Sequence, residues 1–304
     1  MKKRYIIIPL LLIILSIGGF TAYKFIEYRN SDKYKLEQLG YTENEIILIN
    51  KKMKDKNYLL ENEYNKNIII FLNEKRFKEQ NLESYLNYYK EKSDYSINEI
   101  VAIINIGADK DFYESATKTD LTKGNLILLN KFHYLDKNFI PENLVNISSS
   151  YSYEGNRIKK DVYEKLIEMF EDAKKDSIRL IVTSGYRSYE SQEKLYKDYV
   201  IKQGQKWADM YAARAGFSEH QTGLALDIIE YGLNRDTFEN SKGAKWLYDN
   251  AHKYGFIIRY KKDTIKITGY EYEPWHFRFV GEETASKVKK ENLTYEEYYE
   301  YYLK

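Results

Sequence analysis

Cysteine is absent from the 304-residue chain. That excludes a thiol nucleophile, a disulfide framework and any zinc site built on thiolates. A chain without thiols suits an extracytoplasmic protein but does not by itself fix a compartment. One-sided charge is missing too, since 48 basic and 46 acidic residues leave a net charge of +2. Nucleic-acid binders usually show a clustered basic face, so no nucleic-acid partner is expected. No internal repeat is visible. Hydrophobic residues at 43% and charged residues at 31% predict a folded chain rather than a disordered one. The 32 tyrosines are the most conspicuous excess; with abundant Lys, Ile and Asn they reflect compositional bias more than mechanism.

The first distinctive feature is N-terminal. Lys2, Lys3 and Arg4 precede an almost unbroken apolar run over residues 5–23. About 20 apolar residues span a bilayer as a helix, so the run is just long enough. The basic flank predicts an N-terminus held in the cytoplasm and a remainder that crosses. The expectation is an uncleaved single-pass membrane anchor over 1–29 with an extracytoplasmic catalytic domain. A cleaved signal and a secreted product form the alternative.

Residues 30–115 read as a helical accessory or stalk region. Gly40 stops one segment, and Thr42 with Glu45 supplies a capping box for the next, as does Ser96 with Glu99. Leu82, Tyr85, Leu86 and Tyr89 recur at helical spacing. Nothing in this stretch resembles chemistry. From about residue 116 the texture turns to strands interspersed with helices. Val162, Leu166, Met169, Phe170 and Ala173 share one helical face, and residues 178–183 form a β-branched strand. Ser188 caps a helix to about residue 201, residues 224–229 form a strand, and a helix ends at Gly255. Residues 256–259 and 275–280 complete the strands. The fold class expected over 116–290 is α+β, a small mixed or antiparallel sheet with flanking helices. A Tyr/Glu-rich helical tail follows over 291–304.

With only four histidines, each can be weighed. His220 lies in Ser218-Glu219-His220-Gln221-Thr222-Gly223-Leu224-Ala225-Leu226-Asp227, and His276 in Glu273-Pro274-Trp275-His276. A catalytic zinc takes three protein ligands and keeps an open position, and His220, Asp227 and His276 are suitable types. Seven residues of helix would set His220 and Asp227 roughly 10 Å apart, too far to share one metal. Gly223 breaks such a helix. His220 is therefore placed on a loop and Asp227 on the strand after it, with Pro274 kinking the approach to the last strand. His133, among aromatics, and His252, near a helix C-terminus, are read as structural. Trp275 is read as packing beside the site.

Ser218-x-His220-x-x-Gly223-x-Ala225-x-Asp227 followed by Glu273-Pro274-Trp275-His276 resembles the D-alanyl-D-alanine carboxypeptidase family, which includes VanY-type D,D-carboxypeptidases and related L,D-carboxypeptidases of peptidoglycan. Ser184-Gly185-Tyr186-Arg187-Ser188 with Gln192, and the stretch from Asn130-Lys131 through Pro141 to Val145, extend the resemblance over about half the chain. It implies that His220, Asp227 and His276 bind Zn2+ and that Glu273 is the general base. It further implies that Arg187 holds the substrate's terminal carboxylate, beside Gln192 and Ser218. The residue types suit these roles: zinc polarises a carbonyl, a carboxylate moves a proton, and a guanidinium fork matches a carboxylate. Gly185 is expected to permit a sharp turn at the end of its strand.

The expected function is removal of C-terminal D-alanine from peptidoglycan stem peptides, D,D specificity being favoured. An L,D-carboxypeptidase acting on tetrapeptide stems is the alternative within the class. A non-catalytic module that binds wall peptides is the alternative outside it, although a pure binder has no need of Glu273. A helical envelope scaffold accounts for residues 30–113 but leaves the C-terminal motifs unexplained.

Overall fold

The computed structural model describes residues 18–304, which divide into two compact units between Ile104 and Asn105. The expected spanning helix falls mostly on residues 1–17, which lie outside the described residues. Residues 18–29 are helical, but Lys24 and Glu27 pair on this segment at 2.7 Å and Arg29 follows. Among the described residues no helix is long and apolar enough to cross a membrane. The expectations of a transmembrane anchor, a membrane partner and a single-pass topology are corrected accordingly.

The first unit is helical: α1 (Asp32–Leu39), α2 (Glu43–Lys52), α3 (Asn57–Leu60), α4 (Lys66–Asn73), α5 (Leu82–Glu91) and α6 (Ile97–Ile106). Its boundaries follow local chemistry. Gly40 ends α1 at φ 102°, a left-handed cap that a side chain would strain. Thr42 and Glu45 form a reciprocal capping box that starts α2, and Ser96 with Glu99 exchange the same bonds at α6. Leu36, Ile49, Ile68, Phe71, Tyr85 and Ile100 meet in one core.

In the second unit a short antiparallel pair, β1 (Leu144–Asn146) and β2 (Arg157–Lys159), leads into α7 (Lys160–Lys175). Then come β3 (Leu180–Ser184), α8 (Tyr189–Gln203), α9 (Gln205–Tyr211), β4 (Ala225–Glu230), α10 (Arg235–Phe238), α11 (Lys242–Asn250), β5 (Phe256–Tyr260) and β6 (Glu273–Phe279). The last helices are α12 (Glu282–Glu291) and α13 (Tyr295–Tyr302). The four-stranded sheet has the order β3-β4-β6-β5 and every pairing is antiparallel, within the small-sheet architecture expected.

Helix α7 buries Val162, Leu166, Met169, Phe170 and Ala173, the stripe read from the sequence, in a core with Val182, Leu226, Ile228, Phe256 and Phe277. Each large apolar side chain buried there contributes roughly 1.5–3 kcal/mol, which fixes the sheet against the helix. Ser188 caps α8 by accepting from the Ser191 amide. Helix α11 passes into a 3-10 turn that Gly255 closes at φ 86°. The bulge in the β5–β6 pairing falls between Ile258 and Tyr260, close to where Pro274 supplies no amide to the ladder.

Candidate active site

Sheet register assembles the site. Asp227 on β4 stands opposite His276 on β6, and Ser184 on β3 stands opposite Asp227. Opposed residues of an antiparallel pair share a face, so these three side chains lie in one row across three strands. The neighbouring pair, Leu226 and Phe277, alternates to the other face and is fully buried in the core. His220 comes from a 3-10 turn, Glu219–Thr222, which Gly223 closes at φ 67°. The residue expected on a loop thus sits on a tight turn, and the glycine expected to break a helix is its left-handed cap.

Three atoms converge here. His220 Nε2 lies 3.4 Å and His276 Nδ1 3.2 Å from Asp227 Oδ1. Ligand atoms of the three buried residues all fall within 4.8 Å of one another. Each imidazole has its other nitrogen committed. His220 Nδ1 donates to the Gly185 carbonyl at 2.7 Å, and His276 Nε2 faces Glu219 Oε2 at 3.3 Å. The other nitrogen of each ring, His220 Nε2 and His276 Nδ1, is therefore the one turned toward the Asp227 oxygen. Asp227 Oδ1 is itself buried with no hydrogen-bond partner. A buried carboxylate oxygen left unpartnered between two imidazoles is unfavourable alone and is satisfied by a cation. Two imidazoles and one carboxylate fit zinc.

Electrostatics point the same way. Burial pushes the Asp227 carboxyl up, but the two histidines outweigh it and hold the group well below the usual carboxylate range. Burial and then Arg187 lower His220 to about 4. His276 is raised to about 9 against the effect of burial, by the carboxylates of Asp227 and Glu219 beside it. The lone pairs that hold a proton are those that hold a metal, so metal binding here releases protons.

Glu273, its side chain 15% exposed, places Oε2 3.6 Å from His276 Nδ1 at the edge of the triad. Burial raises its carboxyl to about 7, with His276 opposing. Arg187 follows β3 and is fixed by two bonds, Nη2 to Ser184 Oγ at 2.7 Å and Nη1 to Gln192 Oε1 at 2.8 Å. Gln192 is 1% exposed and donates to the Ala213 carbonyl at 2.7 Å, so it is an interior brace for Arg187 and not a polar residue of the helix surface. Ser218 is buried and lines the cavity, and its side chain makes no cap bond to the turn it precedes. The cavity, about 80 Å³, brings together Arg187, Gln192, Ser218, His220, Asp227, Glu273 and His276. Gly185 is needed for a reason other than a sharp turn: a Cβ there would stand 2.4 Å from the Arg157 carbonyl oxygen.

Two site residues had no reading in the sequence. Arg235 Nη2 binds Asp227 Oδ2 at 2.6 Å and stacks over Trp275, so one carboxylate oxygen is pinned while the other faces the histidines. Trp275 thus lines the cavity as well as packing beside it. Glu219, 1% exposed, accepts from Arg259 Nε and Arg278 Nη1, both at 2.8 Å, while facing His276. Its place next to His220 was visible, but partners 40 and 59 residues away leave no local signal. His133 bonds Asn130 Oδ1 at 3.0 Å, and His252 lies in the turn before Gly255; neither lines this cavity.

Residues 155–282 match the family described as VanY, D-alanyl-D-alanine carboxypeptidase. The Bacillus subtilis (strain 168) protein YodJ is 43% identical over 183 residues, 58% of this chain and 67% of that protein. The solved structure of the LdcB LD-carboxypeptidase gives a TM-score of 0.57 at 40% identity, covering 62% of this chain and 93% of its own. A Zn(II) complex of a mutant of the vancomycin-resistance D,D-pentapeptidase VanY gives 0.51 at 35% identity, covering 57% and 98%.

Proposed function

Because the chain belongs to the VanY family of D-alanyl-D-alanine carboxypeptidases, we propose that this site removes the terminal D-alanine of peptidoglycan stem peptides. The protein is a zinc-dependent carboxypeptidase, with His220, Asp227 and His276 as the metal ligands. The observation that carries the assignment is the unpartnered Asp227 Oδ1 facing two imidazole nitrogens whose ring partners are already engaged.

Bound at this triad, zinc supplies Lewis acidity, polarising a carbonyl and making water acidic enough to react near neutral pH. The remaining work belongs to side chains. Glu273 accepts the proton of the attacking water as its oxygen bonds to the scissile carbonyl carbon, then gives that proton to the amine when the C–N bond breaks. Arg187, braced by Ser184 and Gln192, presents a planar fork to the terminal carboxylate. Its guanidinium selects a free chain end over an internal bond, and Ser218 offers a further polar contact inside the cavity. Because the fork is held before substrate arrives, little orientation entropy is lost on binding.

D,D specificity is the first reading, supported by the family and by the likeness to a D,D-pentapeptidase. L,D specificity is the second, favoured by the higher TM-score and identity of the LD-carboxypeptidase. Both reactions need the same ligands, base and clamp. Product analysis on matched peptides decides between them. Free D-alanine released from stems ending in D-Ala-D-Ala, and not from tetrapeptides ending in one D-Ala, is the expected result. Release from the tetrapeptide alone would make the enzyme an L,D-carboxypeptidase.

A further inference from the structure

The C-terminal helix α13 reaches the metal triad through a buried chain of charges. Glu296, 3% exposed, receives both terminal nitrogens of Arg259, Nη2 to Oε1 at 2.6 Å and Nη1 to Oε2 at 2.9 Å. Arg259 Nε then donates to Glu219 Oε1 at 2.8 Å, and Glu219 Oε2 faces His276 Nε2 at 3.3 Å. Arg278 Nη1 binds the same Glu219 oxygen. Both arginines lie near the ring of Tyr295, whose hydroxyl donates to the Leu126 carbonyl at 2.8 Å. A buried capping box between Thr294 and Glu297 fixes the start of α13, and with it the position of Glu296.

We infer that Glu296 is a positioning residue for the metal site, acting through Arg259 and Glu219 on the orientation and basicity of His276. The inference rests on the assignment of His276 as a metal ligand. The geometry leaves Arg259 with two jobs. Its fork is neutralised by Glu296, and its Nε holds Glu219 so that the other Glu219 oxygen meets the imidazole. The charges of Glu219, Glu296, Arg259 and Arg278 sum to zero. Without Glu296 one buried positive charge remains uncompensated next to Glu219, drawing electron density from the carboxylate that supports His276. Loss of support and excess positive charge act in the same direction, both weakening the binding of a divalent cation.

The test uses the full chain with zinc alone as probe, its affinity measured by chelator competition. Glu296→Gln keeps the side-chain shape and removes the charge. The expected result is zinc binding weakened about 10-fold or more, the range typical of groups that support a metal-ligating histidine. The Nε2–H resonance of His276 in a 15N-histidine spectrum of the metal-free protein should also shift. Tyr295→Phe is the control: it drops one bond holding the same helix, so melting temperature should fall while zinc affinity stays within about twofold. Unchanged zinc affinity in folded Glu296→Gln overturns the inference. Should that variant not fold, Glu296→Asp, which keeps the charge and shortens the reach, must weaken zinc binding in the same direction. In the zinc-loaded native chain His276 must carry its proton on Nε2, facing Glu219, and an Nε2 without a proton also overturns it. Failure of the wild-type chain to bind zinc would instead remove the metal assignment itself.

Discussion

In the helical unit the side chains that lose all contact with water are apolar or aromatic, among them Leu36, Ile49, Phe71 and Tyr85. No charged residue described there is buried; Lys33, between Glu37 and Glu43, pairs at the surface. In the second unit the two largest fully buried side chains are Arg259 and Arg278, with Glu219, Asp227 and Glu296 interior beside them. Burying charge costs several kcal/mol per ion before pairing recovers it, whereas apolar burial stabilises directly. The described interior of the first unit is thus apolar. The second takes on a buried polar network around the residues that would hold a metal. Mutations at buried apolar positions should therefore cost stability in either unit, whereas chemistry lost with the fold intact is expected only in the second.

The largest effect expected is in the second unit. Glu273→Gln should lower kcat by about 10²- to 10⁴-fold with the fold intact, since only the proton shuttle is removed. Steady-state kinetics beside circular dichroism check this, and wild-type turnover would remove Glu273 as the base. Phe71→Ala represents the other kind of interior. Truncating a buried aromatic should cost about 3–5 kcal/mol in denaturant titration of the helical unit, and a cost below about 1 kcal/mol would mean the core is less tightly packed than it looks. Arg187→Lys keeps the charge but loses the fork. A charged hydrogen bond contributes about 1.5–3 kcal/mol, so kcat/KM should fall roughly 10- to 100-fold, carried mostly by KM. The smallest effect is Thr42→Ala, which removes half of a capping box and should cost about 1 kcal/mol, with fraying at α2 visible by hydrogen exchange.

What could be read from the sequence follows from how local each signal is. The stripe of α7, the caps at Thr42, Ser96 and Ser188, and the left-handed glycines at 40 and 255 each depend on residues within a few positions. The candidate triad was legible for the same reason, because its parts arrive as two short motifs on strands that pair. Glu219 was not, although it adjoins His220, because its meaning lies in Arg259, Arg278 and, beyond them, Glu296. Pairs 37 to 59 residues apart carry no periodicity. Arg235 looked like any exposed arginine until α10 placed it against Asp227. Gln192 is placed beside Arg187 by the resemblance alone; that its buried side chain braces the guanidinium has no signal in the local sequence. At the N-terminus the apolar length over residues 5–23 suggests a span; most of it lies outside the described residues, among which no helix is long and apolar enough to cross a membrane.

The central claim is that the triad of His220, Asp227 and His276 holds a zinc on which carboxypeptidase turnover depends. Its most direct test is D-alanine release from a stem peptide ending in D-Ala-D-Ala by the full chain, stripped with chelator and then titrated with zinc. The account predicts that release is abolished by stripping and restored at one zinc per chain, and that Asp227→Ala is not restored. Release that persists in the stripped protein, or zinc that binds equally well to Asp227→Ala, would contradict it.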